Sequence, residues 1–173
     1  REPSASLPRS GIQSALSFAP ACMQTSYNTD WYRDIVKAFG ADPNRATTPN
    51  GVSEDCLYLN VWSPGLRKGD DLPVIVFIYG GNNLGGWSYE PNYLGHKLAA
   101  KGAIVVTIAY RLGVFGFFAH PQLTQESANA SSGNYGLLDQ IEALQWVKGN
   151  IAIIGGDPNN VTVMGESAGG ANI

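Results

Sequence analysis

A candidate nucleophile stands at Ser167, inside the run Gly165-Glu166-Ser167-Ala168-Gly169. The spacing is G-x-S-x-G, in which a serine occupies a sharp strand-to-helix turn flanked by residues too small to clash there. Val161-Thr162-Val163-Met164 reads as a short strand before it, and Gly170-Ala171-Asn172 can open a helix after it. Such a turn lifts the hydroxyl above a sheet at a helix start, where unpaired N–H groups and the helix dipole favour developing negative charge. A chance Gly/Ser turn is the competing reading, and the strand counts against it. The second chemical element is Gly80-Gly81-Asn82-Asn83-Leu84-Gly85-Gly86, which follows an apolar run. Acyl transfer needs preorganised N–H donors around the oxyanion of its tetrahedral intermediate, and a glycine-rich loop can bring bare backbone that close. Neither a Gly-Lys-Ser/Thr ending nor G-x-G-x-x-G is present, against a phosphate cradle. A purely structural turn stays open.

Strands and helices must position these residues. Pro73-Val74-Ile75-Val76-Phe77-Ile78-Tyr79 is continuous and β-branched, the pattern of a strand covered on both faces. Residues 104–109 form a second such strand, and 57–62 alternate, with Leu57, Leu59 and Val61 on one face. A helix is predicted over 92–101 from Leu94, Leu98 and Ala99. Another follows from the stripe Leu137, Ile141, Leu144, Val147 and Ile151. Residues 119–134 read as a polar loop, while 63–65, 68–71 and 155–158 read as turns. Residues 1–56 are irregular, broken by Pro3, Pro8, Pro20, Pro43 and Pro49, with a short helix predicted over Asp30–Phe39. Alternating strands and helices indicate an α/β fold around a largely parallel sheet.

The 173 residues suit one domain with a real core. A net charge of −3 argues against a dedicated nucleic-acid binder. The longest apolar run, Val74–Ile78, is far short of the roughly 18–20 residues of a membrane span. Nothing at Arg1 reads as a signal peptide, so any secretory leader is expected to have been removed or never built. Cys22 and Cys56 are too few and too far apart for a metal site, and His96 and His120 do not cluster with them, so no metal is expected. Whether the cysteines pair depends on the compartment. Charged residues make up only 14%, against about 25% in an average domain.

Taken in order, these blocks resemble the type-B carboxylesterase/cholinesterase family of the α/β-hydrolase fold. The match includes Ala21-Cys22-Met23-Gln24, then residues 53–62 from Ser53-Glu54-Asp55-Cys56 onward, Tyr79-Gly80-Gly81, Tyr110-Arg111-Leu112-Gly113 and Phe115-Gly116-Phe117. Gly133-Asn134-Tyr135-Gly136-Leu137-Leu138-Asp139-Gln140, Gly155-Gly156-Asp157-Pro158 and 161–170 follow. The resemblance implies that Ser167 is the acyl-accepting nucleophile and that the N–H groups of Gly81, Asn82 and Ala168 bind the oxyanion. Asn82 departs from the pattern, which has Gly or Ala there; its side chain is expected to intrude near the substrate. The resemblance places Glu166 beside the nucleophile as an electrostatic neighbour rather than the triad acid. It also implies a Cys22–Cys56 disulfide, a buried Arg111–Asp139 ion pair, and a secreted or periplasmic location. No tryptophan lies in the stretch just before Ser53, where cholinesterases hold a quaternary ammonium by cation–π contact. Choline esters are therefore not the expected substrate, and Trp31 and Tyr32 are expected to be packing aromatics. Asn129-Ala130-Ser131 and Asn160-Val161-Thr162 are glycosylation sequons, without meaning in a bacterial source.

In this fold the triad runs Ser, Asp/Glu, His in chain order, and only 168–173 follow Ser167. His96 and His120 match no catalytic position. The chain is therefore expected to be the N-terminal third of one α/β-hydrolase domain. It comprises a disulfide-closed irregular region over 1–56, then sheet and helices over 57–173 up to the nucleophile turn. The triad acid and histidine would come from a continuing or separate segment that packs against it. The expected activity is hydrolysis of a small-molecule carboxylic ester through an acyl-enzyme, without cofactor. A non-catalytic adhesion protein of the same fold is the alternative, disfavoured by the retained Ser167 and Gly81.

Overall fold

The computed structural model describes residues 1–6, 10–11, 14–65 and 69–173. Pro8 and Lys68, cited above as chain breakers, lie outside the described residues. In the N-terminal part, β1 (Ala21–Cys22) pairs in parallel with β2 (Val52–Ser53), and helix α1 (Tyr27–Ala38) runs between them. The helix starts at Tyr27, three residues before the predicted Asp30, because Asp30 N–H already bonds Ser26 C=O at 2.8 Å. It ends where the backbone turns left-handed at Gly40, φ 73°. There Gly40 N–H bonds Lys37 C=O and Ala41 N–H bonds Val36 C=O, so two orphan carbonyls are satisfied. Cys22 and Cys56 are joined by a disulfide, both sulfurs in the core, which closes this region as the resemblance implied.

The main sheet holds β3 (Leu59–Trp62), β4 (Leu72–Ile78), β5 (Ile104–Ile108) and β6 (Gly156–Gly165) in the order β3-β5-β4-β6. β4, β5 and β6 are parallel and β3 is antiparallel at one edge, the mixed, mostly parallel sheet of an α/β-hydrolase fold. Leu57, placed on the β3 face by alternation, lies outside the strand and is exposed. All five β5 residues are buried. β4 differs from its expectation: Val74, Val76 and Ile78 are buried, whereas Ile75 and Phe77 on the opposite face are half-buried. The buried set joins Val147 and Ile151 in the core, while Phe77 is covered by the Tyr93 ring.

Between the strands lie α2 (His96–Ala99), α3 (Gly113–Phe117), α4 (Pro121–Glu126) and α5 (Tyr135–Asn150), and α6 (Ala168–Ala171) follows β6. α2 is one turn of the predicted 92–101 helix, because Tyr93 N–H turns back to Glu90 C=O and its ring to Phe77. α4 interrupts the expected polar loop: Pro121 opens it and His120 Nδ1 accepts from Gln122 N–H at 3.3 Å. On α5 the predicted stripe holds at its C-terminal end, where Val147 and, just past the helix, Ile151 join the core and Leu144 packs against it; Ile141 is exposed, and in the first half Tyr135, Gly136, Asp139 and Gln140 are the buried residues. The helix is rotated to bring Gly136 against Arg111 C=O and Phe117, where an added Cβ would lie 2.6 and 2.7 Å from them. Of the expected 155–158 turn, Gly155 turns left-handed, φ 93°, and residues 156–158 lie in a bulge within β6. Leu72 faces Gly156 and Val74 faces Val161, and Asn159 N–H bonds Asp157 Oδ1 at 2.8 Å across the extra residues.

Candidate active site

Ser167 stands between the end of β6 and the start of α6 with φ 53° and ψ −122°, a conformation costly for any residue with a Cβ. Close backbone packing imposes it. A Cβ on Gly165 would lie 2.6 Å from Gly170 N, and one on Gly169 would collide with Ile78 C=O. Glu166 N–H bonds Ile78 C=O at 3.2 Å and Gly169 N–H bonds Glu166 C=O at 2.9 Å, pinning the turn to β4. The Ser167 side chain is exposed and caps no backbone N–H.

The Gly80–Gly86 loop, at the end of β4, lies against this turn. A Cβ on Gly80 would sit 2.8 Å from Ser167 Cβ and 2.7 Å from Glu166 C=O, so only bare backbone fits. Gly81, φ 108°, has no room for a side chain beside Gly85 C=O. Asn82 and Asn83 are both left-handed, φ 57° and 59°. Asn83 is held by Tyr110 Oη at 3.2 Å and Asn172 Nδ2 at 3.0 Å. Asn82 Nδ2 donates to Tyr27 Oη at 2.8 Å, so its side chain is engaged by α1. Among the described residues, the N–H groups of Gly81, Asn82 and Ala168 have no hydrogen-bond acceptor. An arrangement with an exposed, strained serine beside unpaired N–H groups can attack a carbonyl and hold the resulting oxyanion.

The model of the carboxylesterase family matches residues 1–173. The chain belongs to that family. It is 57% identical over 119 residues to fumonisin B1 esterase of Sphingopyxis macrogoltabida, covering 69% of this chain and 22% of the relative. It is 42% identical over 169 residues to carboxylesterase 1E of Mus musculus, covering 96% of this chain and 28% of the relative. Among solved structures it matches a carboxylesterase of Geobacillus stearothermophilus with a TM-score of 0.75 and 42% identity, over 94% of this chain and 29% of that one. The chain thus spans about a quarter of the length of the curated relatives it matches.

Around this carboxylesterase-family site, the sequence brings some residues together and leaves others apart. Glu166 accepts from Tyr93 Oη at 3.0 Å. Arg111 and Asp139 form a bidentate pair, Nη2–Oδ1 2.7 Å and Nε–Oδ2 2.8 Å, and Arg111 N–H adds a bond to Oδ2 at 3.0 Å. The Asp139 side chain is fully buried and that of Arg111 is 20% exposed. Tyr32 packs on Trp87 as expected, whereas Trp31 is 55% exposed. His96 and His120 are both exposed, and no metal-binding cluster occurs among the described residues. No helix there is long and apolar enough to cross a membrane.

Sequence reasoning missed the layer beneath the loop. Gln24 pairs with both backbone groups of Gly86, each at 2.8 Å. Buried Glu90 accepts from Trp87 N–H at 3.1 Å, Asn28 Nδ2 at 3.4 Å and the Tyr32 hydroxyl. Burial pushes the Glu90 carboxyl above its ordinary range against the pull of these donors. Burial likewise raises the Tyr93 hydroxyl, and the carboxylates of Glu90 and Glu166 raise it further. No motif marks these residues, because apart from Trp87 N–H, three positions from Glu90, their partners lie about sixty positions away.

Proposed function

We propose that this chain carries the nucleophile and oxyanion-binding part of a serine carboxylic-ester hydrolase. The strained, exposed Ser167 packed against Gly80 is the observation that carries the reading. Ser167 Oγ attacks the ester carbonyl carbon as its proton passes to a histidine base. The N–H groups of Gly81, Asn82 and Ala168 hold the oxyanion, the turn at Ser167 acting as a nucleophile elbow. Collapse expels the alcohol, which takes the proton from the imidazolium. Water activated by the same histidine then releases the acid and regenerates the serine. Glu166, held by Tyr93, tunes the charge beside the nucleophile. The triad histidine and acid belong to a further segment of the enzyme, since no side chain among the described residues bonds the Ser167 hydroxyl and His120 Nδ1 is engaged at a helix cap. The substrate is a small-molecule ester. The disulfide supports work in an oxidising compartment, secreted or periplasmic. In the full-length protein, a fluorophosphonate probe should label Ser167, and Ser167→Ala should lower kcat by about 10⁴-fold or more. Full activity in that variant would refute the reading.

A further inference from the structure

We propose that Tyr27 is a positioning residue for the oxyanion loop. Its hydroxyl anchors the Asn82 side chain and thereby holds the Asn82 backbone N–H toward the reacting carbonyl. The inference rests on the acyl-enzyme reading above and extends it to a residue outside both glycine-rich segments.

Asn82 and Asn83 are consecutive left-handed residues, and a Cβ makes that conformation costly in a way it is not for glycine. Such a backbone persists only when its surroundings over-determine it. Asn83 has two side-chain anchors, Tyr110 and Asn172, and its carbonyl accepts Gly113 N–H at 2.7 Å. Asn82 has one among the described residues, Tyr27 Oη. The anchor is itself fixed relative to the loop. Gln24, just before α1, clamps both backbone groups of Gly86 at the far end of the loop. Asn28, the next residue after Tyr27, fills the space beside Gly81 and Gly85, where an added Cβ would lie 2.9 and 3.2 Å from its Oδ1. Asn28 also bonds Glu90. Residues 24–28 therefore grip the loop at its start, tip and end, and Tyr27 grips the tip. The Tyr27 ring is exposed and belongs to neither hydrophobic cluster, so its hydroxyl contact is not a by-product of core packing.

A double-mutant cycle in the full-length protein tests this, with steady-state hydrolysis of a p-nitrophenyl ester, fluorophosphonate titration of Ser167 and the thermal midpoint of each variant. Tyr27→Phe keeps the ring and removes the acceptor. It should lower kcat about five- to tenfold with KM within about twofold, because the oxyanion contact is made in the transition state. That loss is smaller than the roughly hundredfold cost of deleting an oxyanion donor outright. In an Asn82→Gly background the same change should alter kcat less than about twofold, since no side chain remains to anchor. An unchanged kcat in Tyr27→Phe, or an equal loss in both backgrounds, overturns the proposal while leaving the nucleophile assignment standing. If the probe fails to label Ser167, or Ser167→Ala retains activity, the acyl-enzyme reading falls first and this inference with it.

Discussion

Asp139 is fully buried and accepts three bonds, all from Arg111, so removing the guanidinium strands a charge with one backbone donor left. Arg111→Met should therefore destabilise by about 3–5 kcal/mol, read as a lower urea midpoint at unchanged slope. Replacing both residues by apolar ones should recover part of that loss; a double variant as unstable as the single one would contradict the argument. Glu90 is also buried, and neutral donors hold it. Its native carboxyl is raised above the ordinary value of 4.5, so the folded state holds its proton more tightly than the unfolded state does. Its contribution is fully present below pH 4.5 and is lost as pH rises through the raised native value. Urea titrations should show this fall in the native protein and not in Glu90→Gln, which keeps a carbonyl acceptor for Trp87 N–H; equal pH slopes would count against it.

Among the elements, the disulfide and α1 act together. Cys22 and Cys56 are 34 positions apart, and closing such a loop stabilises by about 4 kcal/mol on the chain-entropy account. The closed region contains α1, and through Gln24, Tyr27 and Asn28 it reaches the loop beside Ser167. Cys22→Ser with Cys56→Ser should lower the thermal midpoint and also slow fluorophosphonate labelling of Ser167 at temperatures where the protein stays folded. A lower midpoint with unchanged labelling would separate the disulfide from the loop. The β6–α6 turn is less tolerant. Gly169→Ala drives a Cβ into Ile78 C=O and toward Tyr79 C=O at 2.7 Å, so loss of Ser167 labelling is expected. Gly40→Ala meets no atom within 4 Å and should cost only the left-handed penalty, about 1 kcal/mol.

At the scale of the whole molecule, the 173-residue chain by itself is expected not to turn over a p-nitrophenyl ester. No side chain among the described residues hydrogen-bonds the Ser167 hydroxyl, and a serine hydroxyl without a base is a weak nucleophile. Val114, Phe115, Phe118, Ile153 and Met164 are exposed, apolar surface that a larger enzyme would cover. Comparing the purified chain with the full-length protein at equal molarity checks this, and comparable rates would return His96 and His120 to consideration as the base.

The α/β class, the strand before Ser167, the glycine loop after β4 and, through its ordered blocks, the family are all legible in the amino-acid sequence. These features are local: β-branched runs, turn residues and a motif whose spacing encodes a sharp bend carry their meaning within a few positions. In the first half of α5 the buried positions follow from contacts distant in the chain, the Asp139 ion pair and the close approach at Gly136, which leave Ile141 of the apolar stripe exposed. Pairing with β4 on both sides draws residues 156–158 into β6 as a bulge after the left-handed Gly155. The Asn82 side chain bonds Tyr27, 55 positions earlier, and a contact of that separation leaves no periodic trace in a single chain.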